Sequence, residues 1–345
     1  MPENNLNNFA GKSVFLTGHT GFKGSWLSLW LKTLGARTTG YALAPPTQPS
    51  HFDLAGVRDT LADHHEADLR DRPRLTAALR DAEADVVLHL AAQSVVRTGY
   101  TDPHETYDVN VVGTAALLDA VRDVGRPCVV IVVTTDKVYE NREQVWGYRE
   151  TDAMGGFDPY SASKAACDIL TTSYRRSFFS AERLADHGVK LAVVRAGNVI
   201  GGGDFTPHAL LPDLMQAQRE GRPLEVRAPH AVRPWQHVLD CLGGYLALAS
   251  RMLASDDPQW CDAWNFGPMP GNELTVREVV AAGLSAWGQG EDGPARTWID
   301  ASDPDQPHEA GVLRLSIDKA MWELGWRPQW DVNQAIDLTT QWYRA

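Results

Sequence analysis

The feature that most constrains this chain is an alternation. KSVFLTG (12–18) reads as an apolar, β-branched strand, and GFKGSWLSLWLKTLG (21–35) after it as a helix closed by Gly35. The pattern repeats with strand RTTGYAL (37–43), a helix near 71–82, strand DVVLHLA (85–91), a helix near 104–123, and strands CVVIVVTT (128–135) and KLAVVRAG (190–197). Strands that are apolar throughout and spaced by helices must be buried on both faces, so the expectation is a doubly wound α/β fold around a parallel sheet. Beyond residue 197 the pattern loosens into glycine-rich GGGDF (201–205) and mixed short elements. A proline-marked connection, DPDQPHEAG with Pro304 and Pro307, is followed by LRLSIDKAMWELGW, read as a strand and a short helix. The expected division is a first domain over 1–197 and a smaller second domain over 198–345, with some chain crossing between them. The smaller one should close over the carboxyl ends of the strands, where a second ligand would sit.

With 345 residues, 43% of them hydrophobic, the chain can bury substantial cores. A net charge of -12 with no basic run argues against a nucleic-acid partner and against anionic membrane surfaces. The four cysteines (Cys128, Cys167, Cys241, Cys261) form no CxxC, which indicates neither zinc nor disulfides but free thiols in a reducing compartment. The start, MPENNLNNFAGK, lacks a basic-then-apolar leader, and no apolar run reaches the roughly 18 residues of a membrane span. A cytoplasmic protein is expected. His64-His65 is an isolated pair with no ligand set around it, so no metal site is expected. Trp26 and Trp30, four apart on the first helix, are read as packing residues.

Between the first strand and helix lies TGHTGFKG, with glycines at 18, 21 and 24. A strand-to-helix turn of this kind needs one glycine for the tight bend, one for close approach of backbone NH groups to pyrophosphate, and one for helix–sheet packing. Dinucleotide binding follows as the expectation. A P-loop is excluded because the Gly-Lys-Ser/Thr ending is missing. The second strand should end near residue 44 with an acid for the adenosine ribose, but YALAPP offers Ala44 there. Asp68 in HEADLRD is a candidate adenine contact, with a plain surface acid as the alternative.

In FDPYSASKAACDIL, Pro159 and the acid before it mark a helix start, which puts Tyr160 and Lys164 four residues apart on one face. An ammonium near a phenol favours the phenolate, which would make Tyr160 a base toward a sugar hydroxyl. The fourth apolar strand also runs into Thr134-Thr135-Asp136-Lys137, a row of groups that can move protons. Ser161 and Lys164 spell S-x-x-K as well, but no SDN or KTG follows to support an acyl-transfer enzyme.

Taken together, TGHTGFKG, HLAAQSVV, NVVGTAALLDA, YSASK, VVRAGNVIGGGD and RPWQHV resemble, in order and spacing and over nearly the whole chain, the extended short-chain dehydrogenase/reductases that act on nucleotide sugars (the NAD-dependent epimerase/dehydratase family). The longer strings GHTGFKGSWLSLWL, TTDKVYEN, WGYRE, GGFDPYS and RPWQHVL are similar to its CDP-glucose 4,6-dehydratase branch. The resemblance implies a Rossmann domain over 1–197 holding NAD, a smaller C-terminal sugar-nucleotide domain, and conversion of CDP-glucose to CDP-4-dehydro-6-deoxyglucose for deoxysugar and cell-surface polysaccharide biosynthesis. It places NAD against Gly18, Thr20, Gly21, Phe22, Lys23, Gly24, Asp68, Leu69, Ala91, Ala92, Tyr160 and Lys164, and the substrate against Gln93, Asn198 and Arg233. It makes Thr135, Tyr160 and Lys164 the oxidation set. Asp136 is the candidate acid for the leaving C6 hydroxyl. Relatives acting on dTDP-glucose carry a glutamate base where this chain has Lys137, so Lys137 is either an amine base or a partner of Asp136. Helices near 104–123 and 159–178 resemble those of a four-helix dimer interface, which implies a homodimer or homotetramer. The competing readings are a 4-epimerase, a dehydratase for another nucleotide sugar, and a non-catalytic NAD-sensing protein.

Overall fold

A computed structural model describes residues 6–288, 297–303 and 310–345. The expected alternation is present as strands β1 (Ser13–Thr17), β2 (Arg37–Ala42), β4 (Val86–His89), β5 (Cys128–Val133) and β6 (Val189–Ala196), with β3 (Asp63–Glu66) between β2 and β4. They form a seven-stranded sheet whose order runs from an edge strand Ala263–Phe266 through β6, β5, β4, β1 and β2 to β3. Every neighbouring pair is parallel. The order reverses direction after β3, and it is beside such a switch point that strand ends leave a crevice for a ligand.

Alternate strand residues explain why both faces are covered. Val14, Leu16, Val86, Leu88, Val129, Ile131 and Val194 enter one core with Leu27 and Leu31 of helix Phe22–Thr33 and with helix Val238–Ala254. Their neighbours Phe15, Val87, Val130, Val132 and Leu191 enter the opposite core with Leu75 and Leu79 of helix Arg72–Asp81 and Leu117 and Val121 of helix Gly113–Val124. A period of two in a strand buried on both sides gives two cores, which is the doubly wound arrangement.

Two strands of this sheet lack the apolar signature. β3 reads Asp-His-His-Glu and is half exposed, as an edge strand with one covered side can be. The other edge, Ala263–Phe266, comes from beyond residue 197, and with helix Val238–Ala254 it packs on the same core as β1 and β5. The rest of the second half has its own core from helices Leu210–Glu220, Val276–Trp287 and Val332–Arg344. In LRLSIDKAMWELGW the expected strand is reduced to an isolated bridge at Leu315, with another at Val312 just before the segment, while Ala320–Leu324 forms a π-helical turn. Most of DPDQPHEAG lies outside the described residues. All four cysteines are free, two of them buried. Among the described residues no helix is long and apolar enough to cross a membrane, and no cluster of His, Cys, Asp or Glu could hold a metal ion.

Candidate active site

The carboxyl ends of the strands open into a cleft of about 1520 Å³. Its walls include Gly18, Thr20, Gly21, Phe22, Lys23, Gly24, Asp68, Leu69, Ala91, Ala92 and Gln93 on one side. Thr135, Lys137, Tyr160, Asn198 and Arg233 line it further on. Among the residues singled out from sequence, only Asp136 and Lys164 are missing from the wall; both are buried behind it.

The glycine loop has the geometry a dinucleotide demands. Gly18 has φ +74°, and a Cβ there would lie 2.7 Å from the Ala91 backbone nitrogen; a Cβ on Gly24 would lie 2.1 Å from the Gly18 carbonyl oxygen. Both glycines are needed for helix Phe22–Thr33 to start against the sheet with its first NH groups facing the cleft. Thr20 Oγ1 donates to the Leu43 carbonyl at 2.9 Å and pins the loop to the end of β2. No acid stands at that end: Leu43 and Ala44 line the cleft instead. Asp68 lines it too, but Arg70 holds its carboxylate at 2.6 and 2.9 Å and keeps it below the usual carboxylate range. Arg70 also binds Glu105 and Asp108, which ties the cleft wall to the start of the 103–124 segment. The cradle therefore fits a dinucleotide, with backbone rather than a free β2 carboxylate facing the adenosine end.

That 103–124 segment, expected as one helix, contains a π-helical turn at Asp108–Val112. Extra turns of this kind re-aim side chains at functional sites. Here the turn carries Asn110, whose Oδ1 accepts from the Gln93 backbone NH at 2.8 Å and whose Nδ2 donates to the Gln93 carbonyl at 2.9 Å. The Gln93 amide is committed as well, donating to Thr106 Oγ1 and accepting from the Val95 NH, so Gln93 presents a rigid surface to the cleft. His89 sits beneath, fully buried between Thr17 and Thr114 at 2.7 and 2.9 Å. Neither Asn110 nor His89 was singled out from the sequence; a polar residue inside an apolar helix or strand was the available signal.

Tyr160 and Lys164 share one face of helix Pro159–Ser177, whose start is capped by Asp158 accepting from the Ser161 NH at 2.9 Å. Lys164 Nζ donates to the Val133 carbonyl at 3.1 Å, and Ser161 Oγ donates to Asp158, so the S-x-x-K pair is not assembled as nucleophile and base. The expectation that Lys164 lowers the Tyr160 pKa is reversed here. Burial pushes the phenol up, the Thr135 hydrogen bond pulls it down, and the Asp136 carboxylate adds to the rise. Lys164 is itself pushed down by burial.

The Thr135-Asp136-Lys137 row is a short 3-10 turn after β5. Asp136 is fully buried; its Oδ1 accepts from Thr135 Oγ1 at 2.9 Å and from Lys137 Nζ at 3.3 Å, while its Oδ2 has no protein partner. Asn198 Oδ1, in the cleft wall itself, is also buried and unpartnered. Unsatisfied buried acceptors mark places where a ligand supplies the missing bond. Asp204, after the glycine run, also lines the cleft, and burial pushes its carboxyl up. The run Gly201–Gly203 is a packing device that sequence did not reveal: a Cβ on Gly202 would meet the Trp342 ring at 2.0 Å. His64 meets a partner that the sequence did not show, its Nδ1 lying 2.7 Å from Nε2 of His19 in the glycine loop.

A family model described as GDP-mannose 4,6 dehydratase matches residues 15–339. The chain belongs to the GDP-mannose 4,6-dehydratase family. Within this family it is 43% identical over 339 residues to CDP-glucose 4,6-dehydratase from Salmonella typhimurium, covering 98% of this chain and 92% of that protein. It is 32% identical over 344 residues to dTDP-glucose 4,6-dehydratase from Streptomyces antibioticus, covering 96% and 92%. Among solved structures, dTDP-glucose 4,6-dehydratase from Streptomyces venezuelae with NAD and TYD bound superposes with a TM-score of 0.79 over 96% of each chain at 25% identity. The seven-stranded Rossmann sheet with flanking helices seen here is the fold of that structure.

Proposed function

We propose that the protein converts CDP-glucose to CDP-4-dehydro-6-deoxyglucose with loss of water, in deoxysugar biosynthesis. The observation that carries this reading is the Thr135-Asp136-Lys137 turn beside Tyr160, on a chain matched from end to end by a CDP-glucose 4,6-dehydratase. NAD, when bound against the glycine loop, Asp68, Leu69, Ala91 and Ala92, supplies hydride acceptance at the sugar C4 and donation at C6. This chain's residues handle the protons. Tyr160, whose phenolate burial disfavours and the Thr135 hydrogen bond favours, takes the proton of the 4-hydroxyl in that anionic form, and Lys164 anchors the turn of helix below it to the Val133 carbonyl. The 4-ketone acidifies the C5 hydrogen. Moving one proton across the 3.3 Å Lys137–Asp136 pair gives an amine that accepts the C5 proton and a carboxyl whose proton reaches the C6 oxygen along the 2.9 Å bond to Thr135. Elimination leaves Lys137 as ammonium and Asp136 as carboxylate; as hydride returns to C6 the ammonium gives its proton back to C5, and the proton held by Tyr160 passes through Thr135 to Asp136, which restores all three groups. Asn198, with its unpartnered oxygen, and Arg233, with a fork suited to diphosphate, hold the nucleotide sugar.

The test is mass spectrometry after incubation with CDP-glucose deuterated at C4, beside UDP-, GDP- and dTDP-glucose. The expected product is lighter by one water, with deuterium at C6 and no net reduced cofactor. Epimerisation without loss of water, or turnover of another nucleotide sugar alone, would overturn the assignment.

The same reading includes a homo-oligomer in the cytoplasm. Its support is a set of exposed apolar side chains on the two helical segments named above: Tyr107, Val112 and Ile169, the last 59% exposed. Large apolar groups left bare on adjoining helices suit a self-complementary interface. Light scattering should give at least a dimer, and Ile169→Lys should lower the mass toward a single chain. A monomeric parent protein would refute this part.

A further inference from the structure

Arg195 and Asp168 form an ion pair away from the cleft wall, with relative side-chain exposures of 1% and 0%. It is bidentate: Arg195 Nε donates to Asp168 Oδ2 at 2.7 Å and Nη2 to Oδ1 at 2.9 Å. Burying two charges is costly and is justified by stability only when every donor is used, so a structural role alone predicts little beyond packing. Here the remaining donors go to one place. Arg195 Nη1 donates to the Tyr139 hydroxyl at 2.9 Å and to the Glu150 carbonyl at 3.0 Å. The Tyr139 hydroxyl in turn donates to Asn265 Oδ1 at 2.7 Å, and the guanidinium lies 5.1 Å from the centre of the Tyr139 ring. On the other side, Thr134 Oγ1 lies 3.3 Å from Asp168 Oδ2.

Thr134 and Tyr139 bracket Thr135, Asp136 and Lys137. Both ends of the proton-handling turn are therefore fastened to the same ion pair. Asp168 stands four residues after Lys164 and eight after Tyr160, on the same face of helix Pro159–Ser177, so the pair also fixes the turn against the helix that carries Tyr160. We propose that Arg195, Asp168 and Tyr139 are positioning residues that hold the Asp136–Lys137 pair in register with Tyr160, and that they serve elimination rather than oxidation. Tyr160 takes its place from its own capped helix, whereas Asp136 and Lys137 have only the turn. The inference rests on the dehydratase reading given above.

Tyr139→Phe removes one hydroxyl and keeps the ring stacked on Tyr148, 5.2 Å away. The expected result with the holoenzyme and CDP-glucose is a fall in kcat of about 10- to 100-fold, the scale of a misplacement on the order of 1 Å, with KM changed less than about twofold. Single-turnover absorbance should show reduced nicotinamide building up, because oxidation outruns elimination, and amide hydrogen exchange over residues 134–140 should accelerate. Thr134→Val, which loses the side-chain bonds to Asp168 and to the Val194 carbonyl and keeps the backbone bond to Val194, should move the same readouts in the same direction and stands in if Tyr139→Phe does not fold. Equal slowing of both half-reactions, or turnover at the parent rate, would overturn the proposal. If the parent protein does not convert CDP-glucose, the dehydratase reading falls, and exchange over 134–140 decides alone: no acceleration in either variant refutes the positioning role.

Discussion

Asp136→Asn should lower kcat for dehydration by about 10²- to 10⁴-fold, the usual weight of a positioned proton donor, while CDP-glucose still binds with little change. An amide keeps the shape and can still accept from Thr135 Oγ1 and Lys137 Nζ, but it cannot take a proton from Lys137 and pass it on. The first half-reaction needs only Tyr160 and Thr135, so the variant should oxidise its substrate once and stop. Stopped-flow absorbance of reduced nicotinamide, read with mass spectrometry of the bound sugar, checks both parts. Full turnover in the variant would remove Asp136 from the mechanism; loss of the oxidation burst as well would make it a structural residue. A 4-epimerase, which has no water to eliminate, would be indifferent to the change.

Acid should destabilise the protein strongly between pH 6.5 and about 4. Burial lowers the imidazole pKa of His19 and His89 to about 3 and of His51 and His237 to about 4, from an ordinary value of 6.5. For His19 the neighbouring His64 adds to the effect. A histidine with a depressed folded-state pKa binds fewer protons folded than unfolded, so its contribution is present above pH 6.5 and is lost as pH falls toward the folded value. At about 1.4 kcal/mol per unit, each such group is worth on the order of 3–5 kcal/mol, against a total of about 5–15 kcal/mol for a domain. Burial raises the Asp240 carboxyl from 3.8 to about 6, which has the opposite slope: its contribution is complete below 3.8 and is lost as pH rises through 6. Burial raises Glu150, Asp204 and Asp213 as well, with the same slope, while Asp68, paired with Arg70, is lowered and adds to the loss in acid; the four imidazoles set the sign. Thermal melts at intervals from pH 8 to 4 should show Tm dropping steeply below 6.5, and His89→Gln should flatten that slope. A pH-independent Tm would mean these rings titrate in the folded protein as they do in the unfolded chain, and would refute their depressed pKa values.

The helical start at Asp158 and Pro159 was legible from residues alone, because a capping acid and a proline at the first helical position act within one turn of chain. So was the glycine loop, where Gly24 is required by the Gly18 carbonyl six residues away and Gly18 by its own positive φ, the crowding by Ala91 after β4 being a distant addition. The apolar strands β1, β4, β5 and β6 were legible for the same reason: a strand covered on both faces has to be apolar along its whole length.

What was not legible depends on distant partners. β3, Asp-His-His-Glu, is a strand only because β2 offers it a free edge, and the Ala263–Phe266 strand joins the sheet only after the chain has left it and returned. Gly202 is required by Trp342, and His64 has a role only because His19 lies under it. The direction of the Tyr160 shift shows the same limit most sharply. Spacing placed Lys164 on the right face, and an ammonium four residues away argues for a lowered phenol; the fold buries both groups and gives Lys164 the Val133 carbonyl as partner, so desolvation sets the direction and Thr135 supplies the opposing pull. Local order along the chain determined where the turns, caps and apolar strands would fall. Burial and pairing across more than a hundred residues decided which groups are charged and which face the cleft, because dielectric and contact depend on the packed molecule and not on neighbours in sequence.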